Sequence, residues 1–335
     1  MRGGKSWLTR LRTRWLEVAL LIGFVGLLVW LGFAALPLVR SVMPAPAPAP
    51  LEPTLTAAPP APTLTPVPTQ TIEKFDGQAA FRHVQAQMAL GPRPTGSDAG
   101  RKTGDYIVEQ LKEYGWQVEL QDFVYHGVPG RNIIGKAGKG PVAIIGAHYD
   151  TRRVADNDPD PALRTKPVPG ANDGASGVAV LLELARTLDK KRLQNEVWLT
   201  FFDAEDNGRL DGWDFIAGST EMAGRLTVKP AMVVVADMIG DRDQQIYKEL
   251  NSTPGLVERI WSIAARLGYG NAFLPAAKWS MEDDHTPFLA RGIPAVDLID
   301  FDYPYWHTTQ DTIDKVAPES LERVGRVLQV LLEGG

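Results

Sequence analysis

Cysteine is absent from all 335 residues of the chain. This absence excludes disulfide bonds, catalysis by a thiolate, and any metal site that uses cysteine ligands. Histidine imidazoles and the carboxylates of aspartate and glutamate are then the side chains available to bind a transition metal. A metal site in this protein must be built from those two kinds of ligand.

An excess of positive charge is also lacking over most of the chain. The formal net charge is −5, and residues 1–70 carry six basic and two acidic side chains, which leaves −9 for residues 71–335. A nucleic-acid-binding domain needs a basic surface that neutralises phosphates. The composition therefore predicts no nucleic-acid partner.

Charged residues are missing from Val18 to Val39, a run of 22 residues. At about 1.5 Å per residue, a helix of this length crosses a hydrocarbon core about 30 Å thick. Basic side chains cluster before the run, so the positive-inside rule predicts a cytoplasmic tail at residues 1–17. A cleaved signal peptide is the alternative, but its apolar region is usually only about 7–15 residues long. The pattern favours an uncleaved transmembrane signal anchor at residues 18–39, in the cell membrane, with the rest of the chain outside the cytoplasm.

Proline is abundant only after this apolar run. Residues 41–70 contain ten prolines in Ala-Pro repeats and Thr-Pro pairs. Such a tract cannot bury a core and favours extended polyproline II structure. We therefore interpret residues 41–70 as a stalk and residues 71–335 as one catalytic domain, which is long enough for a large core.

Apolar runs alternate with helical patterns through the whole of this domain. Strands are predicted at 117–125, 132–135, 142–147, 197–202, 232–236 and 295–299. Helices are predicted at 78–90, 99–114, 178–188, 213–223, 254–267 and 318–332, with a short helix from residue 286. This alternation predicts an α/β fold with three layers, α/β/α, around a mostly parallel central sheet.

Acidic and histidine-containing motifs stand where several of these apolar runs end. The carboxyl ends of parallel strands line one crevice, so motifs that are distant in sequence can converge there. The motifs, in chain order, are His148-Tyr149-Asp150, Asn172-Asp173-Gly174, Asp203-Ala204-Glu205-Asp206, Ala236-Asp237-Met238 and Trp306-His307-Thr308.

Each motif taken alone has a purely structural explanation. His148 and Asp150 could form a hydrogen-bonded pair, Asp173 could cap the helix that follows it, and His307 could be a packed loop residue. The carboxylates of residues 203–206 could lie on a solvated surface, although packed carboxylates repel each other unless something positive lies among them. Together, the motifs offer imidazole and carboxylate ligands and a spare carboxylate base, which is how hydrolytic and acyl-transfer zinc sites are built.

The order of these motifs resembles the co-catalytic zinc aminopeptidase superfamily over most of residues 78–332. Within that superfamily the chain is most similar to the glutaminyl cyclases, or glutaminyl-peptide cyclotransferases. Four segments carry this likeness: Arg93-Pro94-Thr95-Gly96-Ser97, Leu182-Glu183-Leu184-Ala185-Arg186, Glu282-Asp283-Asp284-His285-Thr286-Pro287-Phe288-Leu289 and Trp306-His307-Thr308. The resemblance implies a zinc aminopeptidase-like fold.

The resemblance also implies a set of metal ligands. Asp173, Asp206 and His307 correspond to the ligands of the zinc ion that cyclases retain. In the aminopeptidases, His148 and Asp237 would bind a second zinc ion and Asp173 would bridge the two ions. Both sets are present, so the resemblance implies one zinc ion and leaves room for a second.

Catalytic and substrate-binding residues follow in the same way. Glu205 would be the general base that carries the proton, with Asp237 and Asp283 as its hydrogen-bonded acidic partners. Trp306 would line the substrate pocket, together with Trp213, which stands slightly later than the family's spacing places its tryptophan.

The implied activity is the conversion of an amino-terminal glutamine of peptides or proteins to pyroglutamate with release of ammonia. Two departures from the family concern Asp206, where a glutamate is usual, and Asp297, where animal cyclases carry a histidine. The first alternative is a di-zinc aminopeptidase that removes amino-terminal residues from peptides. The second is a receptor-like ectodomain without chemistry, but such proteins usually lose ligands and this chain keeps them all.

Overall fold

The computed structural model describes residues 74–334. The predicted cytoplasmic tail, transmembrane anchor and stalk therefore lie outside the described residues. Among residues 74–334, no helix combines the length and the apolar character needed to cross a bilayer.

Helices and strands alternate through the described residues, as the sequence predicts. The α-helices are α1 (Gly77–Ala89), α2 (Asp98–Glu113), α3 (Ala175–Thr187), α4 (Ala217–Arg225), α5 (Pro254–Arg266), α6 (Thr286–Ala290) and α7 (Pro318–Glu333). The strands are β1 (Gln117–Tyr125), β2 (Val128–Gly138), β3 (Val142–His148), β4 (Glu196–Phe202), β5 (Met232–Asp237), β6 (Ile246–Lys248), β7 (Phe273–Ala277) and β8 (Ala295–Ile299). A 3₁₀ helix at Ile313–Lys315 precedes α7.

The main sheet has six strands in the order β1-β2-β4-β3-β5-β8. Strands β4, β3, β5 and β8 run parallel, whereas β1 and β2 add two antiparallel pairings at one edge. The strand that follows β3 in the chain lies on one side of it, and β5 and β8 lie on the other side. The carboxyl end of β3 is therefore a topological switch point, where open α/β sheets form their binding crevice.

Helices cover both faces of the sheet. All seven residues of β3 are buried. Ala143 and Ile145 point into a large core that includes residues of α1, α3 and α7, whereas Val142 and Ile144 point into a smaller core with α4 and α6. Strands that are buried on both faces read as continuous apolar runs. The three-layer α/β/α architecture and the mostly parallel sheet are thus confirmed.

The helix predicted at 213–223 is wrong at its amino-terminal end, because α4 begins only at Ala217. Ile216 has a left-handed backbone (φ 55°), and its N–H donates to the carbonyl of Glu205 at 3.0 Å. The N–H of Ala217 likewise donates to the carbonyl of Ala204 at 3.0 Å. These bonds tie the residues before α4 to the turn after β4, so a helix cannot form there. The short strands β6 and β7 were not predicted from the sequence.

Candidate metal centre

The motifs predicted to converge do meet at the switch point of the sheet. His148 is the last residue of β3 and Asp237 the last of β5, and Glu205 and Asp206 follow the end of β4. Asp173 lies just before α3. All five side chains are buried or nearly buried, with between 1% and 8% of their surface exposed.

Two groups of three side chains could each hold a metal ion: His148, Asp173 and Asp237, and Asp173, Asp206 and His307. In the first group, Nε2 of His148 lies 3.1 Å from Oδ1 of Asp173 and 3.0 Å from Oδ1 of Asp237. In the second, Nε2 of His307 lies 2.7 Å from Oδ1 of Asp206 and 3.8 Å from Oδ2 of Asp173. Asp173 belongs to both groups and turns one oxygen towards each histidine.

Two buried oxygen atoms test whether this arrangement suits a metal. Within the described residues, Oδ2 of Asp173 and Oδ2 of Asp206 are buried and accept no hydrogen bond. A buried carboxylate oxygen without a partner is costly, and a cation between the two carboxylates would provide one. The donors are imidazole nitrogen and carboxylate oxygen, which zinc binds at about 2.0–2.2 Å. The residues fit a zinc ion.

Asp173 is held by the backbone on its other side. The N–H groups of Asn172 and Asp173 donate to the two carboxylate oxygens of Asp311 at 2.9 and 3.1 Å. Gly174 occupies the N-cap of α3, and no side chain accepts a hydrogen bond there. Asp173 therefore does not cap the helix, and the structural alternative for this motif is excluded. Its carboxylate is left free to face the two histidines.

Asp150 stabilises the turn that carries the acidic motif. It is fully buried, and its carboxylate accepts hydrogen bonds from the N–H groups of Glu205 at 3.0 Å and Asp206 at 3.2 Å. Its Oδ1 atom also lies 3.6 Å from Nδ1 of His148. Asp150 therefore positions residues from both groups without being part of either.

The crowding of carboxylates changes their affinity for protons. Burial raises the pKa of Asp206 to about 6 and that of Asp237 to about 7, and it raises the pKa of Glu205 well above its usual value. Burial alone would lower the pKa of His148, but the neighbouring Asp237 and other carboxylates raise it well above 6.5. The cluster thus attracts positive charge, either as protons or as a metal cation that displaces them.

Asp283 joins the cluster from the loop before α6. It is buried and lines the same cleft as Glu205 and Asp237. The hydrogen bonds of Glu205 to Asp237 and Asp283 stay a prediction, because the positions of the carboxyl protons decide them. Two carboxylates bond to each other only when one of them holds a proton. Behind them, Asp297 of β8 is fully buried, and burial raises its pKa well above the usual range.

An open cleft of about 490 Å³ leads to these residues. Trp306 lines it as predicted, with its ring stacked 3.8 Å from the ring of His307. Phe301 contacts Trp306 edge to face at 4.9 Å and Trp279 in the same way at 5.4 Å. The ring of Phe215 is nearly parallel to the ring of His307, with 6.4 Å between the ring centroids. The cleft thus has aromatic walls and an acidic floor.

The prediction that Trp213 lines the cleft is wrong. Trp213 is buried in a small separate core with Phe123 and Ala204, and its ring contacts Tyr125 at 5.2 Å. The chain before it makes a tight turn in which the N–H of Arg209 donates to the carbonyl of Trp213 at 2.7 Å. This turn directs Trp213 away from the metal groups.

Sequence reasoning missed three aromatic residues of the cleft: Phe215, Trp279 and Phe301. Phe215 lies two residues beyond the tryptophan that was assigned to the pocket, and Trp279 lies just before the cyclase-like segment that begins at Glu282. Their closeness to predicted site residues was the available indication. Which of several neighbouring rings faces a cleft depends on backbone turns that the sequence does not reveal.

Comparisons with known proteins agree with this geometry. The pattern of Peptidase family M28 matches residues 132–332. The chain is 30% identical over 293 residues to a glutaminyl-peptide cyclotransferase of Drosophila melanogaster, covering 73% of this chain and 79% of that protein.

Solved structures are similar over the same part of the chain. A crystal structure of Porphyromonas gingivalis glutaminyl cyclase has a TM-score of 0.72 and 34% sequence identity, and covers 77% of this chain and 97% of that one. A crystal structure of a Zn-dependent exopeptidase from Parabacteroides distasonis has a TM-score of 0.74 and 32% identity, covering 79% and 100%. The chain belongs to peptidase family M28 and is an enzyme of the glutaminyl cyclase branch of the zinc aminopeptidase superfamily.

Proposed function

We propose that this protein is a zinc-dependent glutaminyl-peptide cyclotransferase, which converts an amino-terminal glutamine of peptides or proteins to pyroglutamate and ammonia. One observation carries the proposal: the Asp173, Asp206 and His307 group lies at the floor of an aromatic-walled cleft, with Glu205 beside it. The likeness to proteins named glutaminyl cyclase supports this activity.

Asp173, Asp206 and His307 would hold the zinc ion. When bound there, zinc supplies a Lewis acid for the γ-carbonyl of the substrate glutamine. The substrate's own α-amine forms the new C–N bond, while the bond from the γ-carbon to the amide nitrogen breaks. Glu205 accepts the proton that the amine loses and delivers it to the leaving nitrogen, which departs as ammonia. Its raised pKa makes Glu205 a stronger base than an exposed glutamate.

The main contribution of the cleft is to orient the substrate glutamine. Nucleophile and electrophile belong to one glutamine residue, so the enzyme needs only to hold that residue folded and exclude water. Trp306, Phe301 and Phe215 line the cleft near His307 and offer apolar surfaces for the glutamine side chain. Asp237 and Asp283, which face the same cleft, would receive and return protons as Glu205 works.

A di-zinc aminopeptidase is the second candidate. The observation in its favour is that His148, Asp173 and Asp237 form a second complete ligand group. With two ions bound, Glu205 would take a proton from the attacking water instead of from an amine. The likeness to a Zn-dependent exopeptidase is compatible with this activity.

One assay of the purified full chain separates the two candidates. It is incubated with zinc and either a peptide that begins with glutamine or a leucine anilide. Ammonia release from the peptide, with a mass loss of about 17 Da, is the result expected. Release of the aromatic amine from the anilide, with no ammonia from the peptide, would contradict the cyclase proposal and favour the aminopeptidase.

We also propose that residues 18–39 form a single-pass membrane anchor and that the catalytic domain lies outside the cytoplasm. The uncharged run, the preceding basic residues and the proline-rich segment 41–70 support this topology. Protease added to intact cells should release a soluble domain by cutting within 41–70. Protection of the domain until the cells are lysed would contradict the proposal.

A further inference from the structure

The imidazole of His307 has a carboxylate on each side. Its Nε2 atom faces Asp206 at 2.7 Å, whereas its Nδ1 atom lies 3.8 Å from Oδ1 of Asp156. Asp156 belongs to the loop between β3 and α3 and is not among the predicted site residues. The distance is too long for a hydrogen bond, but Asp156 holds the negative charge nearest to the outer nitrogen of this ring.

Asp156 is fixed by an arginine that also touches the acidic motif. Arg152 is buried, and its Nε and Nη2 atoms donate to the two oxygens of Asp156 at 2.6 and 2.7 Å. Its Nη1 atom donates to the carbonyl oxygens of Asp206 at 3.0 Å and Gly208 at 3.2 Å. His307, Asp156, Arg152 and Asp206 therefore form a closed ring of contacts around one metal group.

The backbone of His307 is held by the same loop. His307 has a left-handed conformation (φ 57°), which is unfavourable for a residue with a side chain. Its carbonyl accepts a hydrogen bond from the N–H of Asn157 at 3.2 Å. The buried Asp158 accepts from the N–H of Thr309 at 2.9 Å and from its hydroxyl at 2.6 Å. The loop thus imposes both the backbone conformation and the surroundings of the ring.

We propose that Asp156 is a positioning residue for metal binding by His307, acting through the Nδ1 side of the ring. This inference rests on the proposed role of His307 as a ligand. A carboxylate beside Nδ1 favours the tautomer with its proton on Nδ1, which leaves the Nε2 lone pair for the metal. Arg152 keeps Asp156 in place and couples it to the backbone of Asp206, the neighbouring ligand.

The test is the zinc affinity of the full chain, measured by competition with a chromogenic chelator. Substitution of a carboxylate that accepts a hydrogen bond from a ligand histidine typically weakens metal binding about 10–100-fold. Because Asp156 lies 3.8 Å from Nδ1 and its side chain is 39% exposed, we expect a loss at the lower end of this range, about 10-fold, for Asp156→Ala. Asp211→Ala is the matched control, because the exposed Asp211 pairs with Arg153 at 2.8 Å as Asp156 pairs with Arg152. We expect the control to bind zinc like the parent. In excess EDTA, Asp156→Ala should unfold at a lower temperature than the parent, because the buried Arg152 loses its carboxylate partner, whereas Asp211→Ala should unfold like the parent. Zinc affinities are therefore compared at a temperature where all three apoproteins are folded.

Parent-like zinc affinity of Asp156→Ala would overturn the proposal. A weaker affinity seen only at temperatures where the apo variant is partly unfolded would also overturn it, because the residue would then only support the fold. If Asp156→Ala does not fold, Asp156→Asn is measured with the same expectation. His307→Ala tests the underlying assignment separately: if it keeps parent affinity, the ligand set of the proposed function is wrong, whatever Asp156 does.

Discussion

Nε2 of His148 lies 3.0 Å from Oδ1 of Asp237, although the two residues are 89 positions apart in the chain. A distance of this kind is compatible with a direct hydrogen bond when no ion is bound, and with two ligands of one ion when the site is filled. The distance suits both the one-zinc and the two-zinc interpretation, so a substitution in this pair is needed to separate them.

Asp237→Asn should damage turnover of a glutamine peptide while the chain keeps one tightly bound zinc ion. Asp237 lies in the second ligand group and not in the group of Asp206 and His307. Metal content is measured by plasma emission spectroscopy after dialysis, alongside ammonia release. If the parent retains two zinc ions and the variant only one, the protein has the metal complement of the aminopeptidase alternative.

His307→Ala should sharply reduce bound zinc and lower the melting temperature of the metal-loaded protein. A metal that binds only the folded state stabilises it by mass action, so loss of a ligand removes that stabilisation. Differential scanning calorimetry with and without EDTA is the measurement. The parent should lose stability in EDTA and the variant should hardly change; an equal EDTA effect in both proteins would show that zinc is bound elsewhere.

Glu205→Gln should leave the fold and the zinc content unchanged and lower kcat on the order of 10²–10⁴-fold, the usual contribution of a general acid or base. Glutamine fills the same volume, but its amide cannot accept and return a proton. Ammonia release under saturating peptide is the measurement. A variant with nearly parental kcat would mean that another group carries the proton.

The stability of the domain should fall as the pH drops from about 6.5 to about 4, in part because of His83. Burial and the nearby Arg82 lower the pKa of His83 to about 4, whereas in the unfolded chain it stays near 6.5. As the pH falls, the unfolded chain therefore binds this proton before the folded domain does. The contribution of His83 to the free energy of unfolding is fully present above pH 6.5 and is lost on acidification. A shift of that size corresponds to about 3 kcal/mol.

Urea unfolding of the parent and of His83→Gln at pH 7.5 and pH 5, both in EDTA, tests this prediction. The difference between the two pH values should be smaller in the variant. His126→Gln is the control, because His126 is an exposed histidine. An unchanged pH dependence in His83→Gln would assign the acid sensitivity to other groups.

The sequence predicted the sheet and the convergence of motifs better than the walls of the cleft. The predicted bounds of β1 and β8 match the structure residue for residue, because clear turn residues flank both runs. His148, Asp173 and Asp206 could be placed because motifs at the ends of parallel strands must share one crevice. The start of α4 was misplaced because the N–H groups of Ile216 and Ala217 bond to the turn after β4, and Trp213 was misplaced because of the turn that begins at Arg209. In both cases backbone hydrogen bonds override helix-like spacing. The role of Asp156 could not be predicted from the sequence either, because it depends on the fold of a loop and not on the end of a strand.

Asp173 contributes an oxygen to both ligand groups, and this sharing would couple the binding of two metal ions thermodynamically. An ion in one group fixes the orientation of the common carboxylate and adds positive charge a few ångströms from the other group. Occupancy of each site then changes the affinity of the other by the same factor. If zinc can fill both groups, the number of ions bound would depend on the free zinc concentration around the enzyme, and the singly and doubly loaded forms would be two regions of one binding curve.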